Sequence, residues 1–179
     1  MTQTDSQNGE LVFTQSLSDA YAVFTKTESI QSKIAQYRLI NAFYMQSQQF
    51  EPHWQFGFFC DETQKITSFV VNEQAVSENN ADDAMKEPDA AVLTLDMAQI
   101  QISETEAYAT ALTLAQIEYK GAVPQVKIFL LQHDTQLGHV WNITFVTQDY
   151  QVLNIKIAAQ TGVVLTHNAH SLLDMQAKQ

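Results

Sequence analysis

Ser16-Leu17-Ser18-Asp19-Ala20-Tyr21-Ala22 recurs 87 residues later as Ser103-Glu104-Thr105-Glu106-Ala107-Tyr108-Ala109. The same offset relates Ile30 to Ile117, Lys33 to Lys120, Trp54 to Trp141, Phe58 to Phe145, Gln64 to Gln151 and Val76 to Val163, without a gap. A fixed-offset self-similarity is read first, because it decides how many structural units the chain contains. Both stretches place an acid three residues after a serine, which is a helix-start signal. Such a cap contributes about 1 kcal/mol by satisfying a backbone N–H that would otherwise lack a partner.

Behind each cap, apolar residues recur at helical spacing: Ala20, Val23, Phe24, Thr27, Ile30 and Ile34 in the first copy, and Ala107, Ala111, Leu114 and Ile117 in the second. Lys120-Gly121-Ala122-Val123-Pro124 ends the second helix, since glycine caps and proline cannot continue the ladder. The first helix lacks that stop and is expected to run toward Tyr37. Three extended segments follow in each copy: Leu39 to Gln46, His53 to Cys60 and Lys65 to Val71, then Val126 to Gln132, His139 to Thr147 and Gln151 to Ala158. Trp54, Phe56 and Phe58 alternate with Gln55 and Gly57, as Trp141, Ile143 and Phe145 do with Asn142 and Thr144, so one face of each sheet should pack on its helix. The expected fold is α+β: a tandem repeat of two units, each an α-helix on a three- to four-stranded antiparallel meander. The units are placed at residues 10–77 and 91–170, with an acidic linker at 78–90 containing Asp82-Asp83 and a polar tail at 171–179.

The order of helix, three strands and Ala158-Ala159-Gln160-Thr161-Gly162-Val163-Val164-Leu165 resembles the PepSY domain, a family named for peptidase propeptides. Ser103 to Ala109, Trp141 and Thr161-Gly162 carry the resemblance. Thr-Gly makes a tight turn returning a short strand, Val163 to Leu165. Ala158 stands where the family usually has Asp, and the first copy has Glu73-Gln74-Ala75 in place of the turn. The resemblance implies a noncatalytic binding or inhibitory module, in a family found mostly outside the cytoplasm.

Composition narrows the partners. With 45% hydrophobic residues among 179, the chain can build a core. A formal charge of −11 repels phosphate backbones and anionic headgroups, which argues against nucleic acid and membrane surfaces. Cys60 is the sole cysteine, so no intramolecular disulfide forms. Met1 to Glu10 is polar and acidic rather than signal-like, and no apolar run is long enough to span a bilayer. The expected location is cytoplasmic as written, or periplasmic or extracellular if a leader has been removed.

Residues that could carry chemistry are few. His133 and His139 flank one turn and His167-Asn168-Ala169-His170 lies near the end, a spacing that defines no metal site. His53 and Cys60, at opposite ends of one strand, would stand roughly 23 Å apart by strand rise. Phosphate-cradling glycines, a Gly-x-Ser-x-Gly elbow and a His-Glu-x-x-His helix are absent from the sequence. No catalytic residue, metal or cofactor is assigned. Trp54 and Trp141 read first as core anchors, and otherwise as stacking groups on a sheet face; Tyr21 and Tyr108 read as helix–sheet contacts or as part of the same binding set. The leading expectation is a binding module for a protein or peptide, through a sheet face or edge, with edge-to-edge homodimerisation as a further outcome. The rival is a small-molecule or metal-binding protein using the cleft between the units, with His133, His139, His167 or His170 as contacts.

Overall fold

A computed structural model describes residues 13–79, 91–119 and 123–171. Helices α1 (Leu17–Lys26) and α2 (Glu28–Lys33) lead into strands β1 (Tyr37–Gln46), β2 (Trp54–Cys60), β3 (Lys65–Asn72) and β4 (Ala75–Asn79). A short 3₁₀ turn (Met97–Gln99) and helix α3 (Glu104–Glu118) precede β5 (Pro124–Asp134), β6 (Gly138–Thr147), β7 (Gln151–Ala158) and β8 (Val164–Ser171). All eight strands belong to one antiparallel sheet in the order β4-β3-β2-β1-β5-β6-β7-β8.

This corrects the expectation of two separate helix-plus-meander units. The described residues are mostly β, and the three short helices among them lie against one continuous sheet. The join is made by β1 and β5, which pair from Asn41 opposite Gln132 to Gln46 opposite Lys127. Both strands are apolar on successive residues, Ala42-Phe43-Tyr44-Met45 and Ile128-Phe129-Leu130-Leu131. That pattern belongs to a central strand with apolar side chains on both faces, rather than to the edge of a small sheet.

The helices lie on one face of the sheet. Phe24 packs against Phe56, Phe58 and Phe69 at centroid distances of 5.5, 5.0 and 5.6 Å. On α3 the buried stripe is Ala107, Ala111 and Ala115, whose small side chains let the helix lie close to the strands. Ile117, expected on that stripe, is 62% exposed. The core runs without interruption across the β1–β5 join, from Phe69 and Trp54 through Tyr44 to Phe129, Trp141 and Ile155. Each fully buried side chain of this size stabilises the fold by roughly 1.5–3 kcal/mol.

Both serine caps form: Ser16 accepts the N–H of Asp19, and Ser103 shares a reciprocal capping box with Glu106. The first helix does not reach Tyr37. It breaks at Thr27, whose φ and ψ of −82° and 92° are extended, while its hydroxyl donates to the Val23 carbonyl at 2.9 Å. Thr27, a residue read as part of the apolar stripe, instead uses its hydroxyl against the backbone, a competition that disfavours helix continuation.

Two strands are longer or newer than the sequence suggested. Glu73 adopts a φ of +42°, so the chain reverses at Glu73-Gln74 without a glycine and returns as β4. Glu78 and Asn79, assigned to the linker, belong to that strand. Gly162 supplies the positive φ of +74° for the turn after β7, and β8 continues to Ser171 rather than ending at Leu165. Residues 80–90 of the linker with Asp82 and Asp83, the Lys120-Gly121-Ala122 helix stop, Met1 to Glu10 and residues 172–179 of the tail lie outside the described residues.

The chain crosses to α3 along the residues after the linker. The Leu95 N–H donates to the Leu39 carbonyl at 2.8 Å, and its side chain is buried. The two helix starts then meet through Glu104, a buried carboxylate whose Oε1 accepts the N–H of Leu17, the first residue of α1, at 3.2 Å. The contact gives an acceptor to an N–H in the first turn of α1, which has no partner within its own helix. Glu104→Ala would leave that N–H without its partner, with an expected loss of about 1–3 kcal/mol. Urea denaturation checks this, and Glu104→Gln, which keeps an acceptor, should lose less.

Candidate functional site

Trp54 and Trp141 are 1% and 0% exposed, with ring centroids 6.3 Å apart. Each indole N–H donates at 2.9 Å to a backbone carbonyl 39 residues earlier, Trp54 to Gln15 and Trp141 to Ile102. Both are core residues; Trp54 also forms part of the floor of a hollow lined by Gln15, Glu51, His53 and Glu73. Tyr21 and Tyr108 are half-buried. Tyr21 leans on Phe56 at 5.5 Å, with its hydroxyl pKa pushed up by burial and then by the Asp96 carboxylate. Tyr108 meets Phe129 and Phe145 edge-on, with the Lys127 ammonium 5.9 Å from its ring centre. Burial lowers the pKa of Lys127. The four candidate residues are thus spread along the helix–sheet interface and do not form one site.

The histidines do not converge either. His133 and His139 stack as a cross-strand pair at 4.3 Å, His167 shares a hydrogen bond of 3.0 Å with the Tyr119 hydroxyl, and His170 stands in β8 opposite Val152. Among the described residues there is no group of three metal-ligating side chains. His167 and His170, near the end of the second unit, are residues of the edge strand β8. On the strand side the two copies join as one continuous sheet, so the space between them lies only where their helices start. A hollow remains on the helix side, lined by Leu17, Tyr21, Met97, Ile100, Ile102 and Glu104 among others, and no histidine borders it. Cys60 is buried, and hydrogen bonds from Thr63 draw its thiol pKa down.

What the strand register does assemble is the opposite face of the sheet, which carries no helix among the described residues. Phe43 lies between Gln55 and Leu130, and Leu130 is opposite Asn142. One pleat along, Met45 is opposite Ile128, and Ile128 is opposite Thr144. Phe43, Met45, Ile128 and Leu130 are all half-buried, with flanking polar residues that carry no charge. Asn154 binds this row together, its amide donating to Asn142 Oδ1 at 2.7 Å and Thr144 Oγ1 at 2.9 Å.

Charge on this face sits toward one end and is neutralised there. Arg38 makes a two-pronged pair with Asp61 at 2.9 Å for each contact, its guanidinium 4.9 Å above the Phe59 ring. Lys156 pairs with Asp134 at 2.9 Å. Backbone N–H donation from Gln136 and the Lys156 ammonium hold the Asp134 carboxyl below its usual pKa. Toward the other end the stripe opens into a groove lined by Met45, Phe50, Val126 and neighbouring glutamines, with Phe50 60% exposed. Alternation along a single strand does not mark this surface, because it identifies only one apolar face. The signal was the unbroken apolar run in β1 and β5, where alternation fails.

No family model matches the chain, and no curated protein matches it. Among solved structures, the chain is similar to the crystal structure of a candidate lipoprotein from Clostridium difficile 630. The two share 16% identity over 90% of this chain and 97% of that one, with a TM-score of 0.61. At that identity the likeness concerns the fold alone. No helix among the described residues is long and apolar enough to cross a membrane.

The contrast between the faces is testable at two adjacent residues. Phe129→Ala, on the helix side, should cost about 3–5 kcal/mol, whereas Leu130→Ala on the open face should cost about 1–1.5 kcal/mol. Chemical denaturation of both variants measures the difference.

Proposed function

We propose that the chain is a noncatalytic binding module whose open sheet face docks a protein or peptide. The observation that carries this reading is the stripe of Phe43, Met45, Ile128 and Leu130, at the centre of a sheet face that no described helix covers. A one-sided antiparallel sheet ordinarily turns polar residues to solvent. A contiguous apolar patch with a polar rim is the composition of an interaction surface. Gln55 and the internally hydrogen-bonded Asn142–Asn154 pair give the stripe a polar rim without the desolvation cost of a full charge.

The PepSY-like pattern at Ser103 to Ala109, Trp141 and Thr161-Gly162 points to the same class of role, binding or inhibition without catalysis. The compartment we propose is outside the cytoplasm, in keeping with that resemblance and with the neighbour's description as a candidate lipoprotein.

A second reading uses the edge strand β8. It is eight residues long and contains neither lysine nor proline, the residues that commonly protect an edge. Its irregularity is a register shift opposite Lys156 and Ile157. An added strand, from a peptide or a second copy, would pair with its outer backbone groups.

Photo-crosslinking side chains placed singly at Phe43, Leu130, Thr166 and Thr113 distinguish these readings in the native host. Partner adducts at Phe43 and Leu130, with none at Thr113 on α3, are the expected result. Adducts confined to Thr166 would select the edge, and adducts confined to Thr113 would overturn both.

A further inference from the structure

The segment from Val92 to Asp96, which carries the chain from the first four strands toward α3, is held by two stacked imidazoles. The Asp96 N–H donates to His139 Nε2 at 3.1 Å, and His133 Nδ1 lies 3.0 Å from the Thr94 carbonyl. The rings face each other at 4.3 Å with an interplanar angle of 16°. A backbone N–H can donate only to an unprotonated ring nitrogen, so the Asp96 contact requires His139 to be neutral at Nε2. The Thr94 carbonyl can only accept, so His133 carries its proton on Nδ1.

We propose that His133 and His139 form a pH-sensitive latch that holds the Val92–Asp96 strap against the sheet near neutral pH and releases it on acidification. Protonation turns His139 Nε2 from an acceptor into a donor and sets it against the Asp96 N–H. It also brings a positive charge against the face of His133, so the pair resists holding two protons.

The charged neighbours on each packed element act in known directions. Burial and His133 from β5 lower the His139 pKa, while the Asp96 carboxylate on the strap raises it by less, leaving the net shift downward. Asp134 is committed to Lys156, and Arg38 to Asp61. From β7 and its turn, the contact is the Ala159 N–H on the His139 carbonyl, which does not titrate. A histidine whose folded pKa lies below its unfolded value contributes stability above the unfolded value, about 6.5, and loses it as pH falls through the folded pKa.

The strap matters beyond its own length. Leu95 fills the core beside Leu39, and the Val92 carbonyl accepts Arg38 Nη1 at 2.6 Å, on the arginine that covers Phe59 on the open face. Release would therefore uncover an apolar side chain and loosen one end of the open face.

The test is NMR of the full chain from pH 8 to 5, following the His139 ring and the Asp96 amide. Expected is a His139 midpoint below 6.5, with Asp96 exchange protection, corrected for intrinsic rate, falling at least tenfold between pH 7.5 and 5. Protection at Phe56 and Ile143 should hold. His139→Gln, which keeps an acceptor that cannot titrate, should flatten the Asp96 response. His133→Gln, should that first variant not fold, should raise the midpoint by removing the facing imidazole. Constant Asp96 protection in the unmodified chain, the same fall in His139→Gln, or an unmoved midpoint in His133→Gln would each overturn the latch.

Discussion

The pairing of β1 with β5 is the constraint on which the remaining structure depends. Six residues of each strand face one another, from Asn41–Gln132 to Gln46–Lys127. This pairing turns two four-stranded meanders into one sheet and brings Tyr44 beside Phe129 and Trp54 beside Trp141. It also brings the α1 and α3 starts into contact through Glu104. On the other side it sets Phe43 and Met45 next to Leu130 and Ile128, so the same pairing that unites the core creates the open apolar stripe. Fold and candidate surface have a common cause in two strands that are apolar on both faces.

Local features were legible in the sequence where a single residue has a strong backbone preference or partner. Ser16 and Ser103 cap their helices because each side-chain oxygen meets an orphan N–H three residues on, and Gly162 turns the chain because it tolerates positive φ. The alternation of Trp54, Phe56 and Phe58 gave the buried face of β2 correctly. What escaped the reading was the assembly of these parts. Counting one apolar face per strand yields two small sheets, and only the second apolar face of β1 and β5 shows that they share a partner. Glu73 was equally opaque, since a non-glycine residue at a φ of +42° is held there by the pairing of β3 with β4 rather than by its own preference.

The candidate site was less legible than the fold. Tryptophan and tyrosine attract attention as binding residues, yet here their large apolar areas are used to anchor the core, with the indole N–H groups spent on backbone carbonyls. The proposed binding face is built instead from residues of ordinary type, Phe43, Met45, Ile128 and Leu130, whose juxtaposition depends on register. Likewise, His133 and His139 suggest a metal when read as spacing. In the structure they are a stacked pair with backbone partners, Thr94 for His133 and Asp96 for His139, which is the geometry of the proposed latch.

The most direct measurement of the central claim is the behaviour of a fragment spanning Ala91 to Gln179, studied by size-exclusion chromatography and urea denaturation. Without β1, the fragment exposes the edge of β5 and strips Trp141 and Phe129 of Trp54 and Tyr44. The expected result is either no cooperative transition or concentration-dependent self-association through the bared strand. A monomeric fragment that unfolds in one sharp, concentration-independent transition would contradict the claim that the β1–β5 pairing holds the structure together.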